Sequence, residues 1–304
     1  MQKIILLLVI VNLSWLTAQK SPQFDSVRAF GYLEEQCSFG PRNPGSVGHS
    51  KGLQHIKGIV SKFADNVIIQ SFPYSDPYTG AMWEMTNVIA QFNPDKKERI
   101  WIAAHWDTRP WADKDPDPNL RNQPILGAND GASGVAVLLE LVHSFAELSP
   151  SVGVDLIFLD GEDSGKSGEL ENFFIGSRYL TRNIPTALPR YCILIDMVGD
   201  RDLKIPQEMN SMIQAPELMK ELWMLAESLG LSSFKNKVSQ PVEDDHVILF
   251  RNGGIPSVDI IDFDYRGGRE NYWHTQKDTP DKCSPESLKE VGTLLLNHIY
   301  NTEN

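Results

Sequence analysis

Five positions along the chain carry side chains that a metal ion accepts. They are His105 in His105-Trp106-Asp107, Asp130 in Asn129-Asp130-Gly131, Asp163 in Gly161-Glu162-Asp163, Asp196, and His274 in Trp273-His274-Thr275. Imidazole and carboxylate are the ligands Zn²⁺ takes besides thiolate, and three protein ligands with one open position make a catalytic site. A lone acid of this kind is usually a solvated loop carboxylate. Five of them, at the ends of apolar runs or in the loops beyond, are not explained that way. A bound cation at such a site would polarise a carbonyl oxygen or activate a water. Glu162, adjacent to Asp163, would then be a carboxylate near the metal that is free to move protons.

The elements that must position these residues are short β-branched runs separated by helical segments. The runs are Val67–Phe72, Asn87–Phe92, Ile100–His105, Asp155–Asp160, Tyr191–Val198 and Ser257–Asp262. Several are apolar on consecutive residues, as in strands buried on both faces. Gly131–Glu147 places Val135, Leu138, Leu139 and Val142 at helical spacing, and Pro216–Leu229 follows a similar pattern. A last helix is expected from Ser284 as N-cap and Pro285 at N1, with Leu288, Val291 and Leu295 on one stripe. No repeat and no Pro/Gly/Ser-rich linker divides the chain. The expected fold is a single α/β domain over residues 19–304, with a central, mostly parallel mixed sheet flanked by helices. Sites in such sheets collect where strands end and loops begin.

Composition narrows the function classes. The 304 residues carry 28 basic and 40 acidic side chains, a net charge of −12, with no basic block to displace counterions, so nucleic acid is not an expected partner. Three cysteines are too few for a disulfide scaffold. Cys192 lies in an apolar run as a small buried hydrophobe, while pairing of Cys37 with Cys283 depends on the fold. Residues 1–18 read as a secretory signal: Lys3, an apolar run Ile4–Val11, and the small Ala18 before Gln19. Export to the periplasm or beyond is therefore expected, without stable membrane insertion after cleavage, because no later stretch is apolar enough to span a bilayer.

Two patterns are set aside. Gly161-Glu162-Asp163-Ser164-Gly165-Lys166-Ser167 has three residues between its glycines where a phosphate-binding loop has four, and its two carboxylates would repel a polyphosphate. Asp113, Asp115 and Asp117 alternate as in a calcium loop, but Pro118 stands where the loop needs glycine and no glutamate closes it. They read as a solvated acidic loop.

The order of the motifs carries a resemblance. The run His105-Trp106-Asp107-Thr108-Arg109-Pro110, then Gly127-Ala128-Asn129-Asp130-Gly131-Ala132-Ser133-Gly134, then Asp160-Gly161-Glu162-Asp163 and Asp196, resembles the zinc-dependent aminopeptidase and glutaminyl cyclase superfamily. Asp244-Asp245-His246 before a short helix and Trp273-His274-Thr275 resemble its cyclase branch, the bacterial glutaminyl-peptide cyclotransferases of the animal type. The resemblance implies one zinc ion on Asp130, Asp163 and His274, with Glu162 as general acid/base. Asp196 and Asp244 would be its acidic hydrogen-bond partners, and Trp273 and Glu243 would contact substrate. His105 would correspond to a second-metal ligand that cyclases leave unused.

This sequence departs from the family in three places. Asp163 is one methylene shorter than the glutamate of many relatives, no Trp occurs in Ser164–Leu170, and Glu243 stands where animal enzymes have glutamine.

The implied reaction closes an N-terminal glutamine of a peptide or protein to pyroglutamate. The α-amine attacks the γ-amide carbon of the same residue and ammonia leaves, so no Ser or Cys nucleophile is needed. The alternative is a two-zinc aminopeptidase on His105, Asp130, Asp163, Asp196 and His274, with Glu162 activating a water. Ligand types alone do not separate the two, and Asp244-Asp245-His246 favours the cyclase. Cleavage after Ala18 would expose Gln19, itself a substrate for such an enzyme.

Overall fold

The computed structural model describes residues 21–267 and 270–302, so the expected leader at 1–18 lies outside the described residues. Two helices open the fold, α1 (Ser26–Ser38) and α2 (Val47–Phe63), followed by strands β1 (Asn66–Ser75), β2 (Met82–Phe92) and β3 (Arg99–His105). Helix α3 (Ala132–Glu147), β4 (Gly153–Leu159), α4 (Ile175–Arg182) and β5 (Cys192–Asp196) come next. A small excursion follows, of β6 (Ile205–Gln207), α5 (Met209–Gln214), α6 (Pro216–Ser228) and β7 (Phe234–Val238). The chain then returns through α7 (Asp245–Gly253) and β8 (Ser257–Ile261), and α8 (Pro285–Asn301) ends it.

The main sheet has the order β1-β2-β4-β3-β5-β8. β1, β2 and β4 pair antiparallel, whereas β4, β3, β5 and β8 are parallel neighbours. The sheet is thus mixed, with three of its five pairings parallel, as expected. Every residue of β3, β4, β5 and β8 is buried, which accounts for their unbroken apolar runs. Tyr191–Val198 forms a shorter strand than expected because Met197 takes φ 47°, which turns the chain off the sheet just after Asp196.

One face of the sheet is covered by α1, α3, α6 and α8 around a large apolar cluster. Leu180 of α4 and Leu249 of α7 pack on the other face against Trp101, Ala103, Ile157 and Leu194. Helix α3 is buried on nearly its whole circumference. Its buried acid, Glu140, takes a two-pronged hydrogen bond from Arg28, at 2.6 and 2.7 Å. Asp155 lies inside the sheet and accepts from Arg99, Gln91 and Trp101, so no buried oxygen is left without a donor there. Ser284 caps α8 by accepting Ser287 N–H, as its sequence indicates. Cys37, Cys192 and Cys283 are buried thiols, and the described residues contain no disulfide. Among the described residues no helix is long and apolar enough to cross a membrane.

The parallel pairing decides where function sits. β3 and β4 run in register to His105 opposite Leu159, and β5 ends at Asp196 opposite Ile261 of β8. Parallel strands expose their C-terminal ends on one edge. His105, the Asp160–Asp163 segment and Asp196 therefore emerge side by side, though they are far apart in the chain.

Candidate active site

Asp130 is the hub of the site. Its backbone N–H and that of Asn129 both donate to the Asp278 carboxylate, at 3.2 and 2.8 Å, and Asp278 also accepts the Tyr265 hydroxyl. At the next position a Cβ on Gly131 would lie 2.5 Å from the His105 ring, so only glycine lets this loop pack against the imidazole. The two carboxylate oxygens of Asp130 are divided between two histidines. Oδ1 is 3.2 Å from His105 Nε2, and Oδ2 is 3.5 Å from His274 Nε2.

On the pocket side, His274 Nε2 also stands 3.5 Å from Asp163 Oδ2. Asp130, Asp163 and His274 are all buried, and their donor atoms lie within 4.8 Å of one another. Asp163 Oδ2 has no hydrogen-bond partner. Two buried carboxylates and a ring nitrogen converging around the donor-free Asp163 Oδ2 fit a divalent cation, and the nitrogen–oxygen set suits zinc. His105, Asp130 and Asp196 form a second such group. There, however, His105 Nε2 makes a hydrogen bond to Asp196 Oδ1 at 3.1 Å. Burial alone would drive the His105 ring toward its neutral form. The Asp196 charge and hydrogen bonds with Asp107, Asp130 and Asp196 outweigh it and hold its pKa well above the ordinary value.

Glu162 follows β4 through Gly161, whose φ of 74° suits glycine. The Glu162 and Asp163 N–H groups donate to the two oxygens of Asp107, which fixes the acidic dipeptide to the end of β3. The Glu162 side chain lines the pocket. Burial, reinforced by the charges of Asp163, Asp244 and Asp245, lifts its pKa well above the usual carboxylate range. Asp244 caps α7, with Oδ1 on Asp245 N–H and a buried Oδ2 that has no donor. Burial and the Asp196 charge raise its pKa well above the usual range too. Behind Asp244 lie His246 and Asp259, and His246 Nε2 is hydrogen-bonded to Glu208 at 3.2 Å.

The pocket above these groups encloses about 550 Å³. Glu162, Asp130, Asp163, His274, Asp196 and Asp244 all line it. His105 is not among its lining residues. Trp273 stacks on His274, with ring centroids 3.8 Å apart, and contacts Phe263 at 5.0 Å. It belongs to the pocket wall and not to the core. Leu170, Phe173 and Phe174 form the wall near the segment that lacks a Trp. Glu243 is at the mouth, where its carboxylate is paired with Arg251 at 2.9 and 3.1 Å.

The acidic loop expected to be solvated is not. Asp113 holds Arg109 through both oxygens and lies 3.4 Å from His274 Nδ1. Asp115 is buried and accepts Asp117 N–H and Gln276 N–H. Only Asp117 stays at the surface. The buried Arg109 guanidinium is the reason, since it draws the loop down by binding Asp113 and Asp163 together.

Arg109, Asp113, Asp107 and Asp278 are the supporting residues that the sequence left without a role. For Asp107 a signal existed: it stands two residues after His105, just beyond the end of β3. Asp278 carried no comparable signal.

The model of peptidase family M28 matches residues 87–299. Among solved structures, a Bacteroides thetaiotaomicron glutaminyl cyclase bound to N-acetylhistamine is 36% identical, with a TM-score of 0.87 over 93% of this chain and all of that one. A Zn-dependent exopeptidase from Parabacteroides distasonis is 33% identical, with a TM-score of 0.88 over the same shares. The glutaminyl-peptide cyclotransferase of Bothrops jararaca is 24% identical over 84% of this chain and 75% of its own length.

Proposed function

The chain belongs to peptidase family M28, and we propose that within it this protein is a zinc-dependent glutaminyl-peptide cyclotransferase. Its substrates are peptides and proteins that begin with glutamine, and its products are the pyroglutamyl chain and ammonia. The full-length likeness to a bacterial glutaminyl cyclase supports this reading. The structural observation that carries it is the split of the two histidines. His105 Nε2 is engaged with Asp196, whereas the Asp130–Asp163–His274 group opens on the pocket beside Glu162. That arrangement favours one ion per chain, held by Asp130, Asp163 and His274.

Held by Asp130, Asp163 and His274, a zinc ion would supply a Lewis acid for the γ-carbonyl oxygen of the substrate glutamine. The remaining chemistry belongs to side chains. The attacking α-amine must lose a proton and the departing amide nitrogen must gain one. Glu162 takes the first proton and returns it to the second nitrogen, so the enzyme ends as it began. Asp163, Asp244 and Asp245 crowd negative charge near Glu162, which favours a carboxyl group that holds its proton readily. The apolar wall, with Trp273 as its largest member, holds the glutamine folded back on itself so that amine and carbonyl meet. Glu243, paired with Arg251, faces the residues that follow the glutamine.

The two-zinc aminopeptidase reading keeps one observation, the closeness of His105, Asp130 and Asp196. It requires Asp196 to give up His105 for a metal. The deciding experiment uses protein lacking residues 1–18, with zinc per chain measured first, incubated with a Gln-initiated and a Leu-initiated peptide. Ammonia from the first, no free leucine from the second and one zinc is the expected result. Free leucine with two zincs would overturn the cyclase reading.

Residues 1–18 are proposed as an export signal and 19–304 as the mature catalytic domain, acting in the periplasm or outside the cell. Mass spectrometry of the mature protein is expected to show Gln19 with ammonia lost. Intact Gln19 in an active preparation would exclude self-modification.

A further inference from the structure

Four side chains close a ring behind the pocket, which two of them, Asp163 and His274, line. Arg109 Nη1 donates to Asp163 Oδ1 at 2.7 Å. The same guanidinium donates from Nε and Nη2 to the two oxygens of Asp113, at 2.8 and 3.0 Å. Asp113 Oδ1 faces His274 Nδ1 at 3.4 Å, and His274 Nε2 faces Asp163 Oδ2 at 3.5 Å. Arg109 is 1% exposed and also packs against the Phe173 ring, 5.3 Å from its centroid. A buried guanidinium has no freedom to seek other partners, so the ring is rigid.

Each link has a consequence for metal binding. Asp163 Oδ1 is taken by Arg109, so Oδ2 is the one oxygen left to ligate. This matters because Asp163 is a methylene shorter than the glutamate of many relatives, and its carboxylate reaches less far. His274 Nδ1 is buried and makes no hydrogen bond, and the carboxylate nearest it, 3.4 Å away, is that of Asp113; a hydrogen on Nδ1 would face that acceptor and leave the Nε2 lone pair toward Asp130 and Asp163. Electrostatics alone argues the other way. A positive guanidinium in contact with a ligand carboxylate repels a cation and should weaken its binding.

We propose that Arg109 and Asp113 are positioning residues that set the zinc affinity of this site. Arg109 locks Asp163 into one-oxygen ligation, and Asp113 locks His274 into the tautomer with a free Nε2. The inference rests on the ligand set proposed above, and its test separates the two.

Zinc affinity of the purified enzyme is measured by competition with a chelator, and coordination is followed by the visible spectrum of the cobalt-substituted form. Arg109→Met and Asp113→Asn are each expected to weaken zinc about 10–100-fold, the range for lost outer partners of a ligand. They should also alter the cobalt spectrum. Arg109→Met should do so although it removes a repelling positive charge. Because the residues act as one unit, the double variant should be weaker than either single by less than the product of their effects. Unchanged or tighter zinc binding in Arg109→Met overturns the proposal. If that variant does not fold, unchanged affinity in Asp113→Asn, a partly exposed position, overturns it equally. His274→Ala serves as the control. Stoichiometric zinc retained in that variant would sink the ligand set itself, whereas zinc lost there with normal affinity in the other two would sink only this inference.

Discussion

The carboxylate of Asp107 accepts the backbone N–H of Glu162 at 3.0 Å, and its second oxygen accepts that of Asp163 at 3.2 Å. One fully buried side chain thus sets the position of both the proposed proton carrier and a proposed metal ligand. Asp107→Asn replaces one acceptor oxygen with a donor, which leaves a buried N–H without a partner. The expected cost is about 1–3 kcal/mol of folding stability. Misplacement of Glu162 should add a loss of about 10²-fold in kcat. Urea denaturation and steady-state ammonia release check the two effects, and a variant that loses stability while keeping full kcat would contradict the second.

Glu162→Gln keeps the size of the side chain and removes its ability to carry a proton. The kcat for a Gln-initiated peptide should fall about 10²–10⁴-fold, the usual contribution of a positioned acid/base. Zinc content should not change, because the reading gives Glu162 no bond to the metal. A kcat within a few-fold of the parent would remove Glu162 from the mechanism.

Trp273 separates substrate contact from metal binding, since its ring stacks on His274 and also faces the pocket. Trp273→Ala is expected to lower kcat/KM roughly tenfold, matching an aromatic contact of about 0.5–1.5 kcal/mol beyond area burial. Trp273→Phe should recover most of that loss. If the alanine variant instead loses its zinc, the ring serves the ligand and not the substrate.

Glu208 makes a pH-dependent contribution to stability. Burial opposes its charge, but hydrogen bonds from His246, the Asn210 N–H and Ser211 outweigh that cost and hold its pKa at about 2, below the ordinary glutamate value of 4.5. A depressed carboxyl stabilises the fold fully above its unfolded pKa. That contribution is lost as pH falls from about 4.5 through about 2. Melting temperatures measured across this window should fall less steeply in Glu208→Gln than in the parent, and parallel curves would exclude the carboxylate as a source of acid sensitivity.

Much of this architecture is legible in residue types. Apolar stretches within Ile100–His105 and Asp155–Asp160 marked strands covered on both faces, and Ser284-Pro285 marked the start of α8. The reactive positions were legible for the same reason. Strand ends and the loops beyond them are where a packed α/β sheet leaves polar side chains room to converge.

What tertiary structure decided is which atoms face one another. His105, Asp130, Asp163, Asp196 and His274 satisfy a one-metal and a two-metal site equally well as residue types. Only the folded chain gives Asp196 to His105 and leaves Asp130, Asp163 and His274 open to the pocket. In the same way Asp113 reads as a surface acid until Arg109, four residues earlier, draws it against His274. Side-chain identity states what a group can bind, but the strength of a hydrogen bond, an ion pair or a metal bond depends on separations of a few tenths of an ångström. Those separations are set by parallel strand register and by loops packed across more than a hundred residues of chain.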